Sequence, residues 1–355
     1  MTNIYPSSGI CESGESYTKG DVPKGIKLAL GEYPVLHTPT LDEQGVQVVE
    51  DPKDADFIIH FSTEAYGQGY QIPNSVPPYP RSKSVMIQVE PPLAPYRQLV
   101  YYKNFLDQFH TAYVFNLNPE AKNQFPVTEN PHLFPYPSGW ANRVTRSNTY
   151  MSNQHKFYYA GGRYSQWGSP NAHGSVNLYP LRSQIVSYLI KQGLAHYVIG
   201  AGWSKETTRN DVDWRGSKLN EVIRNECDFV LCLENSRCFN YMSEKIHDGF
   251  NCDRVVFYIG CPNAHKFVPD NCFVNLSQPP YYKVVANPQP YVFNFEAVKD
   301  RILSMTQIEY DEILGHAREF RDTVLTEKNY EGEARKLTLH LLNRLGQPQR
   351  RSKCF

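Results

Sequence analysis

The stretch FVLCLENSRCFNYMSEKIHDGF, residues 229–250, decides how the rest of the chain is read. It opens on an uninterrupted apolar run, Phe229-Val230-Leu231-Cys232-Leu233, which predicts a buried strand. The run ends on a carboxylate and an amide, Glu234-Asn235. A helix is expected over Met242 to Phe250, with Tyr241, Ser243, Glu244 and Lys245 at its head. A strand that leaves the core through Glu-Asn and enters a helix through Tyr, Glu and Lys is one strand–helix step of an α/β protein. The polar groups stand at the joint.

Outward from this stretch the alternation continues. Phe157-Tyr158-Tyr159-Ala160 predicts a strand running into Gly161-Gly162. Leu181, Ile185, Val186 and Leu189 make a helical stripe that Gly193 is placed to stop. Strand His196 to Ile199, a helix marked by Leu219, Val222 and Ile223, strand Val255 to Ile259 and the short run Phe273 to Leu276 complete the pattern. Strands alternating with helices at this spacing predict βαβ units and a parallel sheet. In the first half, Ile26 to Leu30, Ala55 to Phe61, Ser84 to Val89 and Thr111 to Phe115 read as strands, and Pro91 to Gln108 can carry a helix past Pro95. Proline and asparagine without periodicity place a linker near residues 135–154. Helices close the sequence over Ile308 to Leu325 and around Ala334, Leu337, Leu341 and Leu345. The expected division is an N-terminal domain over 1–145, a second domain over 146–306, and C-terminal helices over 307–355 that cross back to the first.

Composition narrows the functional classes. At 355 residues, with 41% hydrophobic and 20% charged residues, the chain is long enough for two cored domains. The formal net charge is zero, which argues against a nucleic-acid-coating surface, so any anion must be met by a local site. The eight cysteines show no CxxC pair, and five of them fall between Cys227 and Cys261 in or beside apolar runs, the pattern of buried thiols in a reducing compartment. The first twenty residues lack a basic segment followed by an apolar one, and no apolar run approaches about 20 residues. A soluble, cytoplasmic protein with no signal peptide or membrane span is expected.

In an open α/β sheet, ligands bind outside the carboxyl ends of the strands, where Glu234 and Asn235 are expected. The following helix offers unpaired N–H groups and a partial positive charge suited to phosphate. Lys245 adds a cation in the first turn, where the helix dipole disfavours one, so an anion nearby would account for it. Glu244 has the two oxygens needed to accept a pair of ribose hydroxyls. The plainer reading of the same residues is a solvated helix start. Neither GxGxxG nor GxxxxGK[ST] occurs, so a dinucleotide enzyme or P-loop NTPase gains no support.

The segment Phe229 to Leu276, read as FVLCLENSRCFNYMSEKIHDGF followed by VVFYIGCPNAHKFVPDNCFVNL, resembles the α1,3/4-fucosyltransferases of glycosyltransferase family 10. NLYPLRSQIVSYLIKQG is similar to that family's arginine-bearing helix, VIGAGW to its strand ending in a glycine turn, and MIQVEPP to its motif of an acidic residue and prolines. The resemblance implies a GT-B fold, two Rossmann-like domains facing across a cleft, and an inverting transfer of fucose from GDP-fucose to an acceptor glycan, α1,3-type, with no metal cofactor. It implies Glu90 as catalytic base, Glu244 on the ribose hydroxyls, Lys245 and Arg182 on the diphosphate, and Tyr241 and Asn235 completing the pocket. The partners implied are a nucleotide sugar and an acceptor glycan. Two departures from the family pattern lie where the sugar's surroundings would change: Asp253-Arg254-Val255-Val256 replaces a usual Gly-x-x-Pro, and Gly249 replaces a usual alanine.

Two rivals remain at this stage. Asp211-Val212-Asp213 is a DxD string that would suit a metal-dependent GT-A transferase. A non-catalytic nucleotide-sugar or glycan binder would keep the pocket and lack the base.

Overall fold

A computed structural model describes residues 26–30, 36–61, 80–87, 110–114, 127–129, 155–161, 176–194, 196–200, 202–203, 227–239, 241–285, 291–325 and 327–346. The chain divides into two compact units. One comprises Met1–Leu133, Ala172–Gly174 and Lys328–Phe355; the other comprises Phe134–Asn171 and Ser175–Glu327. The expected helices at 91–108 and around Leu219, and the linker near 135–154, lie outside the described residues.

The first unit is built on β1 (Lys27–Leu30), β2 (Gln47–Val48), β3 (Phe57–Phe61), β4 (Ser84–Ile87), β5 (Thr111–Val114) and β6 (Val127–Glu129). These form one sheet in the order β2-β1-β3-β4-β5-β6, parallel throughout. Leu28, Ile58, Ile59, Val85 and Ile87 are buried in it, and helix α1 (Thr38–Glu43) adds Leu41. The four strands expected in this half all form. β2 and β6, at two and three residues, are too short to leave a periodic signal.

The second unit is built on β7 (Phe157–Ala160), β9 (His196–Ile199), β10 (Phe229–Leu233), β12 (Val255–Ile259) and β13 (Val274–Asn275). They form a sheet in the order β13-β12-β10-β7-β9, again all parallel. Two small antiparallel pairs lie beside it: β8 (Val176–Asn177) with β11 (Ser236–Arg237), and β14 (Tyr282–Val284) with β15 (Tyr291–Phe293). Every residue of β10 and β12 is buried, as strands covered on both faces must be. Counted along the chain, both sheets share the doubly wound order second-first-third-fourth-fifth. In the second unit that order reverses between β7 and β10.

Helix α2 (Tyr179–Lys191) buries Leu181, Ile185, Val186 and Leu189, the stripe read from sequence. It ends where Gly193 takes φ +73°, a left-handed turn that glycine adopts without steric cost. Helix α3 (Glu244–Asn251) starts at Ser243, whose side chain caps it by accepting from the Lys245 N–H. Helix α4 (Phe295–Ser304), capped by Asn294, has no counterpart among the sequence expectations, because only Val298 and Ile302 along it are buried. Helix α5 (Gln307–Thr323) sends the Tyr310 hydroxyl to the Asp228 carbonyl at 2.8 Å, fixing it to the start of β10. Helix α6 (Glu327–Gly346) reaches back to the first unit, where the Thr338 hydroxyl accepts from the His37 N–H at 2.8 Å and Arg335 pairs with Glu43 at 3.0 Å. Among the described residues no helix is long and apolar enough to cross a membrane.

Candidate functional site

The strand order reverses between β7 and β10, and in open α/β sheets ligands bind outside the carboxyl ends of the strands at such a point. β7 brings Tyr159 to this edge, just ahead of Gly161. β10 brings Glu234 and Asn235. The first turn of α2 brings Arg182, and the start of α3 brings Ser243 and Lys245.

Arg182 is 3% exposed. Its Nε and Nη2 donate to the Tyr159 hydroxyl at 3.1 and 2.8 Å, and Nη1 donates to the Asn235 side-chain oxygen. Its guanidinium carbon stands 4.9 Å from the centre of the Tyr179 ring, one helical turn before it. Burial pulls the arginine pKa down, but Tyr159, Tyr179 and the Glu234 carboxylate outweigh that pull, and the net shift is upward. The guanidinium is therefore a fixed, buried cation. Gly161 makes room for it, since a Cβ there would lie 2.5 Å from Nη2 and 2.5 Å from the Tyr159 hydroxyl.

Glu234 answers what the polar joint holds. Its side chain is fully buried, and its two oxygens accept from the Ser243 N–H and the Ser243 hydroxyl, each at 2.7 Å. The Lys245 ammonium lies 3.7 Å from the same carboxylate and donates to the Ser243 oxygen at 3.0 Å. The first turn of α3 is thus tied to the end of β10 through one serine. The anion that accounts for Lys245 in a first turn belongs to the protein: it is Glu234. Two cations, Arg182 and Lys245, bear on one carboxylate, so these three side chains carry a net positive charge. The Lys245 side chain remains 23% exposed.

Of the residues singled out by sequence, Arg182, Asn235 and Lys245 gather at this edge, and Tyr241 is buried just ahead of α3 at 2% exposure. Glu244 is the first residue of α3; its side chain, together with Glu90 and the Asp211 to Asp213 string, lies outside the described residues. Sequence reasoning gives no site role to Tyr159 or Ser243. Both carry a signal: a tyrosine at a strand end that runs into glycine, and a serine at the head of a predicted helix.

The two departures stand apart from the side chains gathered at this edge. Asp253 and Arg254 precede β12 and so sit at its amino end, opposite the site. Asp253 takes φ +58° and accepts from Arg318 of α5 at 2.7 and 2.6 Å and from Arg321 at 3.3 Å. Arg254, 0% exposed, donates to the carbonyls of Cys227, Cys252 and Asp253 at 2.6, 3.2 and 2.7 Å. Gly249 lies where α3 meets the sheet, and a Cβ there would come within 2.5 Å of Val256 Cγ2 and 2.9 Å of Cys232 Sγ. These residues hold helices on the sheet.

No family model matches the sequence, and no curated protein matches it. Solved structures do. The crystal structure of an α1,3-fucosyltransferase aligns over 94% of this chain and 93% of its own, with a TM-score of 0.53 at 13% identity. The crystal structure of an α1,3-fucosyltransferase with GDP aligns over 93% of both chains, again with a TM-score of 0.53 at 13% identity. The fold is α/β, of the GT-B type. A GT-A architecture, which the DxD string would have required, is excluded by the two doubly wound parallel sheets.

Proposed function

We propose that this chain is an inverting glycosyltransferase that moves fucose from GDP-fucose to a hydroxyl of an acceptor glycan, in an α1,3 linkage and without a metal ion. The observation that carries the reading is the convergence of Arg182, Asn235 and Lys245 with the start of α3 at the point where strand order reverses. Among the described residues, three of the five Arg182 N–H groups are taken by Tyr159 and Asn235, so the fork is held in place and two donors are not used there. The Ser243–Glu234 bonds fix the first turn of α3, and with it Lys245, in the same region.

In this reading the acceptor hydroxyl attacks the anomeric carbon as Glu90 takes its proton. The bond from that carbon to the β-phosphate oxygen breaks, and its electron pair leaves with GDP. The sugar passes through an oxocarbenium-like state. Arg182 and Lys245 meet the charge that grows on the departing diphosphate. Glu244 takes the ribose hydroxyls, and Asn235 and Tyr241 close the pocket. The likeness to solved structures supports the scaffold, and the resemblance over Phe229 to Leu276 supports the donor.

The test is ligand-induced thermal stabilisation. GDP is expected to stabilise the protein more than UDP does, with or without EDTA. Arg182→Gln and Lys245→Ala are each expected to weaken GDP binding by about ten- to a hundredfold, the loss of a charge-assisted hydrogen bond. Stabilisation that disappears with EDTA, or affinity unchanged in both variants, overturns the reading.

A further inference from the structure

Past Asn235 burial alternates along the chain. Ser236 and Cys238 are 1% and 0% exposed, Asn235 and Arg237 are half-buried, and Phe239 is 46% exposed. In β11 successive side chains point to opposite faces, so Ser236 faces inward and Arg237 faces the open side. Pairing of Ser236 with Asn177 and of Arg237 with Val176 across β11 and β8 holds these two residues in that conformation.

Arg237 differs from the buried arginines of this unit. Arg182, Arg254 and Arg321 donate to tyrosine, amide, carbonyl or carboxylate oxygens. The Arg237 guanidinium instead lies on the Tyr282 ring, 4.7 Å from its centre. Its Nε and the Tyr282 hydroxyl are both buried with no hydrogen-bond partner among the described residues. Burial pushes its pKa below the ordinary arginine value, with Tyr282 and then Cys261 pushing back, and no carboxylate figures among these influences. A cation stacked on one face, partly desolvated and lacking a counter-charge among the described residues gains from an anion on its open side.

We propose that Arg237, seated on Tyr282, is an oxyanion-binding position of this edge, separate from the Arg182–Asn235 pair, that takes a phosphate- or sulfate-type group through its planar fork. Two sources carry that chemistry: a phosphate of the nucleotide and an acidic substituent on the acceptor. Charge favours the nucleotide. Arg182 and Lys245 both bear on the buried Glu234 carboxylate, so part of their charge is already answered, and Arg237 adds a further cation for the diphosphate. The choice of source rests on the function proposed above, but the oxyanion position does not.

The experiment is calorimetric titration of the full chain with inorganic phosphate, GDP and guanosine, for the wild type, Arg237→Gln, Arg237→Lys and Tyr282→Phe. Arg237→Gln is expected to weaken phosphate and GDP by about ten- to a hundredfold and to leave guanosine unchanged. Arg237→Lys recovers only part, since it keeps the charge without the fork. Tyr282→Phe keeps the ring and binds as the wild type does. If phosphate weakens and GDP does not, the position stands and the acceptor is the source; sulfated lactose then binds the wild type better than lactose does, and Arg237→Gln abolishes the difference. If Arg237→Gln does not fold, weaker phosphate binding by Arg237→Lys supports the proposal and wild-type affinity in that variant overturns it. A folded Arg237→Gln with unchanged phosphate affinity, or a wild type that binds no phosphate, overturns it too. A wild type that binds phosphate in an Arg237-dependent way but not GDP ends the donor assignment and leaves this one intact.

Discussion

Replacing Asp253 by asparagine separates the stability of the second unit from its chemistry. Asp253 is 1% exposed and receives a two-pronged contact from Arg318 and a further bond from Arg321, whose side chain is 6% exposed. Asparagine tolerates the left-handed φ of +58°, so Asp253→Asn removes the charge and leaves the turn. Breaking a buried ion pair from one side costs about 3–5 kcal/mol. The Arg318 side chain is 33% exposed and Arg321 keeps Asp322 at 2.9 Å, which places the loss at the lower end of that range. About 3 kcal/mol corresponds to roughly a hundredfold change in an opening equilibrium. Because two units need not unfold together, the assay is amide exchange in β12, which reports on the second unit alone. Exchange there is expected to quicken by about two decades in Asp253→Asn. Asp253→Ala should go further, because alanine adds about 1–2 kcal/mol of left-handed strain. GDP affinity should stay at the wild-type value, since Asp253 is at the amino end of β12. Exchange unchanged within about threefold in Asp253→Asn would refute the ion-pair reasoning, and lost GDP affinity would refute the separation of ends.

Other outcomes are expected. Gly249→Ala, although it installs the residue usual in the resembling family, should destabilise the second unit by about 1–3 kcal/mol through overpacking against Val256 and Cys232, read as a lower urea midpoint; an unchanged midpoint would mean that α3 shifts freely on the sheet. Burial raises the Cys232 and Cys252 thiols and lifts Cys272 to about 12. All three should resist iodoacetamide in the folded protein at roughly pH 8.5, where an ordinary thiol is half ionised, and rapid native-state labelling seen by mass mapping would contradict their burial. Glu90→Gln should slow transfer by about 10²–10⁴-fold while GDP affinity barely moves. Full turnover would send the base elsewhere.

The long buried strands were legible because their runs are unbroken. Phe229–Leu233, Val255–Ile259, Phe157–Ala160 and His196–Ile199 form with the bounds read from sequence. The helical stripe from Leu181 to Leu189 was as plain. β8 and β11, two residues each, carry no period, yet their pairing sets the open face of Arg237. In the site, the residue types were visible and their obligations were not. Glu234 looked available to a ligand, but its partner is a serine nine positions on, a closure set by how α3 folds back on β10. Lys245 stands beside Glu244 in sequence, and the carboxylate beneath it arrives from another element. The Asp253-Arg254 departure was assigned to the sugar's surroundings because sequence gives order along the chain; only the parallel register places it at the far end of the sheet.

The seam between α6 and the start of the first unit bears on how the protein is made. A ribosome releases the segment holding β1 to β6 first, then the whole second unit, and only afterwards the residues from Lys328 onward that complete the first unit. Thr338, 0% exposed, meets His37 across 301 positions of sequence. While the chain grows, the side of the first unit that Thr338 covers therefore stands open for as long as the second unit takes to emerge. At about 5–20 residues per second, the nearly 200 residues between Leu133 and Lys328 set a wait of roughly 10–40 s. The unit begun first is finished last, and a chain stopped before α6 would keep an intact second unit beside an unfinished first one.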